Sequence, residues 1–171
     1  PDVAEKLFVA CVQANAVSVE LWIEPAMTSQ IGPATIFTYS KVNNRNVTIQ
    51  QDTTRYRGSV MTSNPDPMAT TGTLQSIQTP IDKTVVAVQH VVYTRDASGV
   101  TRIYLNGVLA VSGMTTGTLA NWNTGYPLVL ANEQTGDRPW LGELHLVAVY
   151  SRALSGSEVV QNYEAGANPV P

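Results

Sequence analysis

Glu20 and Glu24 are the first groups in the sequence that could do chemistry together. In Glu20-Leu21-Trp22-Ile23-Glu24 two carboxylates lie four residues apart. Two carboxyl groups flanking a glycosidic bond act as acid and nucleophile when they stand about 5 Å apart. Here, however, the surrounding residues read as a half-buried strand. Val17, Val19, Leu21 and Ile23 alternate with Ser18, Glu20, Trp22 and Glu24. On an extended chain, positions i and i+4 share a face but sit about 13 Å apart, too far for that pair. The stronger reading is two solvated strand carboxylates with Trp22 covering a sheet face. No GxSxG, HExxH or P-loop pattern occurs. His90 and His145 have no spaced His, Cys or Asp partners for zinc and read as strand residues. Cys11 is the single cysteine, so no internal disulfide can form, and it reads as a small buried hydrophobe.

Binding chemistry has better candidates. Aromatic rings with polar neighbours can stack on sugar faces and clamp hydroxyls. Trp122 and Tyr126 share one polar segment with Asn121 and Asn123, and Arg138 and Trp140 share another with Asn132, Glu133 and Asp137. Trp122, Tyr126, Arg138 and Trp140 are therefore the expected ligand-binding residues; packing of the two indoles against the domain is the alternative. Calcium takes clustered oxygen ligands, which Asn132, Glu133 and Asp137 could supply, with Asp52 or Asp66 joining from other loops. Arg45, Arg55 and Arg57 fall in one hairpin and could contact an acidic glycan, a solvated surface being the simpler account.

These residues need a frame. Residues 87–163 read as strand, hairpin, strand, strand, helix. Asn106-Gly107 between two apolar runs suits a type I′ turn. Thr101, Ile103 and Leu105 then share one face, and Arg102, Tyr104 and Asn106 the other. Leu141–Tyr150 is too continuously apolar for a half-wet strand and is expected at the centre of its sheet. Ser155-Gly156-Ser157-Glu158 has the spacing of a capping box. It opens a helix that Gly166 and Pro169 end, the only helix expected, with Leu154, Val159 and Tyr163 packing beneath it. Upstream, residues 1–6 read as a loose terminus and Leu7–Val12 as a first strand. Strands are expected over 34–40, 46–51 (Val47 and Ile49 inward), 55–62 and 73–78. Loops are expected over 26–33, 63–72, 119–125 and 132–139. Ten to twelve short strands with polar turns make a two-sheet β-sandwich.

Length and composition agree. The 171 residues suffice for one domain, 1–171, with a proper core. With 43% hydrophobic and 13% charged residues the chain is not disordered. A net charge of −3 with no basic run excludes nucleic acid as a partner. No apolar stretch is long enough to insert in a membrane. The chain opens with Pro and shows no signal peptide, as expected of a piece of a mature, larger protein.

The order of motifs resembles the laminin-G-like, concanavalin-A-like jelly-roll family of secreted bacterial proteins. The matching pieces are His90-Val91-Val92-Tyr93-Thr94, Tyr104-Leu105-Asn106-Gly107, Ala131-Asn132-Glu133, Trp140-Leu141-Gly142-Glu143-Leu144 and Arg152-Ala153-Leu154-Ser155 with Glu158-Val159. Val17 to Ile23 resembles the family's first long strand, so the resemblance spans roughly residues 16–165. Where the family often carries Asp, this chain has His145. The resemblance implies an all-β jelly roll of two antiparallel sheets, here with one short C-terminal helix. It also implies an extracellular module binding a glycan or a protein, and a calcium ion in several members. Hydrolases that resemble this fold carry E-x-D-x-E on a strand, and Trp22 replaces its middle carboxylate here. The leading expectation is a noncatalytic, secreted carbohydrate-binding accessory module. A structural or protein-interaction domain comes second, and a sandwich hydrolase third.

Overall fold

The computed structural model describes residues 3–42, 44–63 and 72–167. Two helices and ten strands follow in the order α1 (Val3–Ala14), β1 (Val17–Pro25), β2 (Gln30–Lys41), β3 (Asn44–Thr53), β4 (Arg55–Thr62), β5 (Thr73–Gln78), β6 (Gln89–Arg95), β7 (Val100–Leu105), β8 (Val108–Met114), β9 (Leu128–Leu130), β10 (Gly142–Tyr150) and α2 (Gly156–Ala165). The strands form two five-stranded sheets, β10-β1-β6-β7-β8 and β5-β4-β3-β2-β9. Every pairing is antiparallel. This is the expected all-β jelly-roll sandwich. Val17, Val19, Leu21 and Ile23 of β1 meet Phe37, Tyr39, Val47, Ile49, Tyr56 and Val60 of the second sheet in one core. Burial of such side chains, at about 25 cal/mol per Å² of apolar surface, drives the sheets together.

Local signals explain the connections. Asn106 (φ 50°) and Gly107 (φ 79°) both take positive φ in the β7–β8 turn. The Ser155 side chain accepts from the Glu158 amide while the Glu158 carboxylate accepts from the Ser155 amide, so the capping box opens α2. Gly166 ends it with φ 81°; Pro169 lies outside the described residues. The strands expected over 55–62 and 73–78 form with those bounds. Most of the 63–72 loop lies outside the described residues.

Four local expectations are corrected. Residues 3–6 are not a loose terminus and Leu7–Val12 is not a strand, since α1 runs from Val3 and adds a second helix among the described residues; residues 1 and 2 lie outside them. Its apolar positions Ala4, Leu7, Phe8, Cys11 and Val12 fall at i, i+3, i+4, i+7 and i+8, one helical stripe against the core. Asn15 closes α1 with φ 51°, its amide donating to the Val12 carbonyl while the Ala16 amide donates to that of Cys11, a Schellman ending. Cys11 is fully buried and its thiol is pushed up to about 12 by desolvation.

Second, β1 is buried on both faces rather than half-buried. Its outer residues Ser18, Glu20 and Trp22 lie beneath α2 and the chain entering it. Ser18 Oγ donates to the Arg152 carbonyl at 2.8 Å and accepts from the Leu154 amide at 2.9 Å. Third, β10 is an edge strand, not a central one. Its continuous apolar run has another cause. A register shift at Trp22/Ile23 lets Leu144, Val147 and Val149 reach the core, while Leu146, Ala148 and Tyr150 line the space beneath α2. Fourth, residues 30–33 belong to β2 rather than to a loop.

Candidate functional site

The outer face of the second sheet carries two polar rows, with Met61 and Leu74 forming an apolar pair beside them. Along β3, Val47, Ile49 and Gln51 point into the sandwich, so Thr48 and Gln50 point out. Register then builds two cross-strand rows. Thr38, Thr48, Ser59 and Ser76 form one; Thr35, Gln50, Arg57 and Gln78 form the other. Hydroxyls meet along the first row, Thr38 to Thr48 and Ser59 to Ser76, each at 2.8 Å. In the second row Gln50 Nε2 donates to Thr35 Oγ1 at 3.1 Å. Thr35, Thr38 and Thr48 are fully buried and spend these bonds inside the protein, so Gln50, Arg57, Ser59 and Ser76 are the members of the two rows that line a hollow and can offer donors and acceptors to a ligand.

Two loops wall this face. Loop 131–140 is anchored by Trp140, whose Nε1 donates to Gln51 Oε1 at 2.9 Å. Loop 119–126 is anchored by Trp122, whose Nε1 donates to the Met61 carbonyl at 2.7 Å. Asn46 fastens the same loop, donating to the Asn123 carbonyl at 2.8 Å and accepting from the Asn123 amide. Between the walls lie two hollows of about 290 and 230 Å³ that share Arg45. The first is lined by Asn46, Asn121 and Tyr126, the second by Gln50, Arg57, Ser59, Ser76 and Arg138. A third, of about 250 Å³, adjoins the second through Pro33 and Arg138. Together they form one groove, in the size range of small-ligand sites.

The expected ligand-binding residues divide. Tyr126 and Arg138 line the groove. Trp122 and Trp140 are 6% and 3% exposed, so both indoles are core residues and present no ring face for stacking. They position the loops that carry the other two. Of the arginines in one hairpin, Arg45 and Arg57 line the groove, while Arg55 Nη1 turns to Gln78 Oε1 at 3.4 Å. Gln50, Ser59 and Ser76 were not among the sequence candidates. The alternation of their strands with buried neighbours was the available signal.

The calcium ligands expected at Asn132, Glu133 and Asp137 do not fit that ion. Glu133 is buried, and its oxygens accept from Arg45 Nε at 3.0 Å, Arg45 Nη2 at 2.8 Å and Thr35 Oγ1 at 3.2 Å. Arg138 Nε stands 3.6 Å away. A carboxylate already ringed by guanidinium charge is a poor cation ligand. Asn132 Oδ1 accepts from the amides of Glu133 and Arg138, and exposed Asp137 accepts from Thr135 Oγ1. Among the described residues, the His and carboxylate groups close enough to share an ion are Glu24, Glu143 and His145, exposed to differing degrees on β1 and β10.

Glu20 and Glu24 lie on the first sheet, across the sandwich from the groove. Glu20 is buried beneath α2, where Oε1 meets His90 Nε2 at 2.8 Å. Its Oε2 accepts from Tyr150 Oη at 2.7 Å and Asn162 Nδ2 at 2.9 Å. Burial acts to raise its carboxyl pKa, but the bonds from His90, Tyr150 and Asn162 and the His90 charge outweigh it, so the group sits below its ordinary 4.5. Burial, with the bond to Glu20, pushes Tyr150 up to about 12. Trp22 stacks on His90 at 4.7 Å and on Tyr163 at 5.8 Å. The cluster ties α2 to the sheet.

Comparison with known proteins agrees with the fold. A family model described as the concanavalin A-like lectin/glucanases superfamily, of laminin-G type, matches residues 5–160. No protein among those of curated function matches the sequence. A solved structure of botulinum neurotoxin type C, reported as dependent on two ganglioside molecules for cell entry, superposes with TM-score 0.65 at 20% identity over 92% of this chain and 37% of that one. The binding domain of botulinum neurotoxin DC, solved with rat synaptotagmin II, gives 0.60 at 16% identity over 90% and 36%. A Bacteroides ovatus protein named as a candidate carbohydrate-binding protein gives 0.62 at 18% identity over 86% and 40%. The chain thus spans little more than a third of these structures' length. Among the described residues no helix is long and apolar enough to cross a membrane.

Proposed function

Because the chain belongs to the concanavalin A-like lectin/glucanases superfamily, we propose that it is a carbohydrate-binding module whose site is the groove on the outer face of the second sheet. One observation carries this reading. Gln50, Arg57, Ser59 and Ser76 of the two rows, with Arg45 and Arg138, place amide, hydroxyl and guanidinium groups along a groove that has Tyr126 at one end. Sugar hydroxyls bind such fixed donors and acceptors, and Tyr126 offers a ring against which a pyranose can rest. The module acts outside the cell as part of a larger protein. The ganglioside-dependent toxin and the Bacteroides ovatus protein on the same fold support the ligand class.

A glycan array on the purified domain tests this, run with calcium and again with chelator. Selective, saturable binding that Tyr126→Ala removes, measured well below the variant's own thermal midpoint because Tyr126 also packs on the core, is the expected result. The donor set at Asn132, Glu133 and Asp137 predicts no effect of chelator. Silence across neutral and acidic glycans would sink the reading.

The burial of Trp122 and Trp140 favours a second reading, a protein-interaction domain with no sugar site. The neurotoxin domain solved with synaptotagmin II has this fold too. A silent array would move the assignment there.

A further inference from the structure

Charge in the groove goes further than a general affinity for hydroxyls. Resting on the carbohydrate reading above, we infer that the glycan is anionic, and that a uronate carboxylate or a sulfate ester is gripped between Arg57 and Arg138.

Both arginines line the same hollow of about 230 Å³. Lining the groove are Arg45, Arg57 and Arg138 against Asp137, with Asp52 and Glu133 paired to Arg57 and Arg45 beside it, in a chain whose net charge is −3. The carboxylates are already committed. Glu133 is taken by both arms of Arg45 and by Thr35. Asp52 Oδ2 is shared between Arg57 Nη2 at 3.2 Å and Gln78 Nε2 at 3.1 Å. Asp137, at the outer lip beyond Arg138, is taken by Thr135.

The guanidiniums are not used up. Arg57 Nε is buried with no hydrogen-bond partner among the described residues, and buried Arg138 Nε has only the long 3.6 Å approach to Glu133 Oε2. A buried N–H without an acceptor is unfavourable, most of all on a charged group. A planar oxyanion in the hollow would supply acceptors to both forks, and guanidinium matches carboxylate and sulfate better than a point charge does. Ser59 and Ser76 at the floor and Gln50 beside them then meet the sugar's neutral hydroxyls. A neutral glycan would offer the partly exposed guanidinium ends of Arg57 and Arg138 no opposite charge.

The test is titration calorimetry at low and high salt with four probes: an oligogalacturonate, its carboxyl-reduced form, a heparin-derived oligosaccharide and its desulfated form. At least one anionic probe should bind about tenfold tighter than its neutral partner, less so in high salt. Arg57→Gln should weaken the anionic probe by more than its neutral partner, so that the roughly tenfold ratio between them collapses. Arg138→Gln serves as the second variant should the first fail to fold. Which anionic arm responds separates carboxylate from sulfate. Equal affinity within both probe pairs would overturn this inference and leave the carbohydrate reading standing. An anionic preference untouched by both substitutions would overturn it too. No binding of any probe, with the array also silent, would overturn both readings.

Discussion

Arg45 holds Glu133 with both arms, Nε to Oε1 at 3.0 Å and Nη2 to Oε2 at 2.8 Å, across 88 residues of sequence. The pair joins the start of β3 to loop 131–140, with the Glu133 side chain 2% exposed and that of Arg45 18%. Its Arg45 side lines both the hollow of about 290 Å³ and that of about 230 Å³. Removing one member of a buried pair leaves the other charge without compensation, at a cost of roughly 3 kcal/mol. Arg45→Ala should therefore destabilise the domain by about that amount, less whatever Arg138 recovers by closing its 3.6 Å gap to Glu133. Urea unfolding of Arg45→Ala, Glu133→Gln and the double variant would check this. The double variant should be more stable than the Arg45→Ala single. Strict additivity would show that the two side chains do not act as a pair.

Trp140 and Trp122 are loop anchors, and their substitution should separate stability from binding. Trp140→Phe keeps most of the ring but removes the Nε1–H that meets buried Gln51. Gln51 Oε1 keeps its bond from Gln30 Nε2 at 3.0 Å, so the expected loss is that of one hydrogen bond, about 0.5–1.5 kcal/mol. Ligand affinity, measured well below the lowered melting temperature, should fall less than in Tyr126→Ala. Were Trp140→Phe to abolish binding at unchanged stability, the indole would have to touch the ligand.

Acid should weaken the domain partly through Glu20. Its carboxyl titrates below its ordinary 4.5 in the folded state, because the bonds from His90, Tyr150 and Asn162 outweigh desolvation. The unfolded chain therefore binds the proton more tightly than the folded one. The stabilisation is complete above the unfolded value and lost as pH falls through the lower folded one. Asp96 acts in the same direction, since the bonds from Ser98 and the Val100 amide outweigh its desolvation. Glu20→Gln should be less stable at neutral pH and lose less further stability on acidification, with Asp96 supplying part of the remaining slope. Urea midpoints between about pH 3 and pH 7 would show it. Parallel wild-type and variant curves would contradict the assignment.

The sandwich was legible in the sequence because its strands alternate with the period of a sheet and its turns carry specific residues. Asn106-Gly107 and Ser155 to Glu158 each announce a local conformation that needs no distant partner. The helix at Val3–Ala14 was legible too, in the spacing of Ala4, Leu7, Phe8, Cys11 and Val12, but a short apolar run such as Leu7–Val12 satisfies a strand as readily. What covers a strand from outside could not be read locally. β1 is buried on both faces because α2 and the chain entering it return over it, contacts between residues more than 130 positions apart, and β10 lies under the same helix. The candidate site divided in the same way. Tyr126 and Arg138 stood out by residue type, as did the tryptophans, yet only tertiary packing turns the tryptophans inward. Gln50, Ser59 and Ser76 carry no motif. They become a site because register sets them in rows.

The most direct test is to titrate the ¹⁵N-labelled domain with an oligosaccharide selected on the array and follow its amide resonances. The groove predicts shifts concentrated at Arg45, Gln50, Arg57, Ser59, Ser76, Tyr126 and Arg138, with the residues beneath α2 unmoved. Shifts clustered instead around Glu20, Trp22 and Asn162, or at Glu24, Glu143 and His145, would place the ligand on the first sheet and contradict the account.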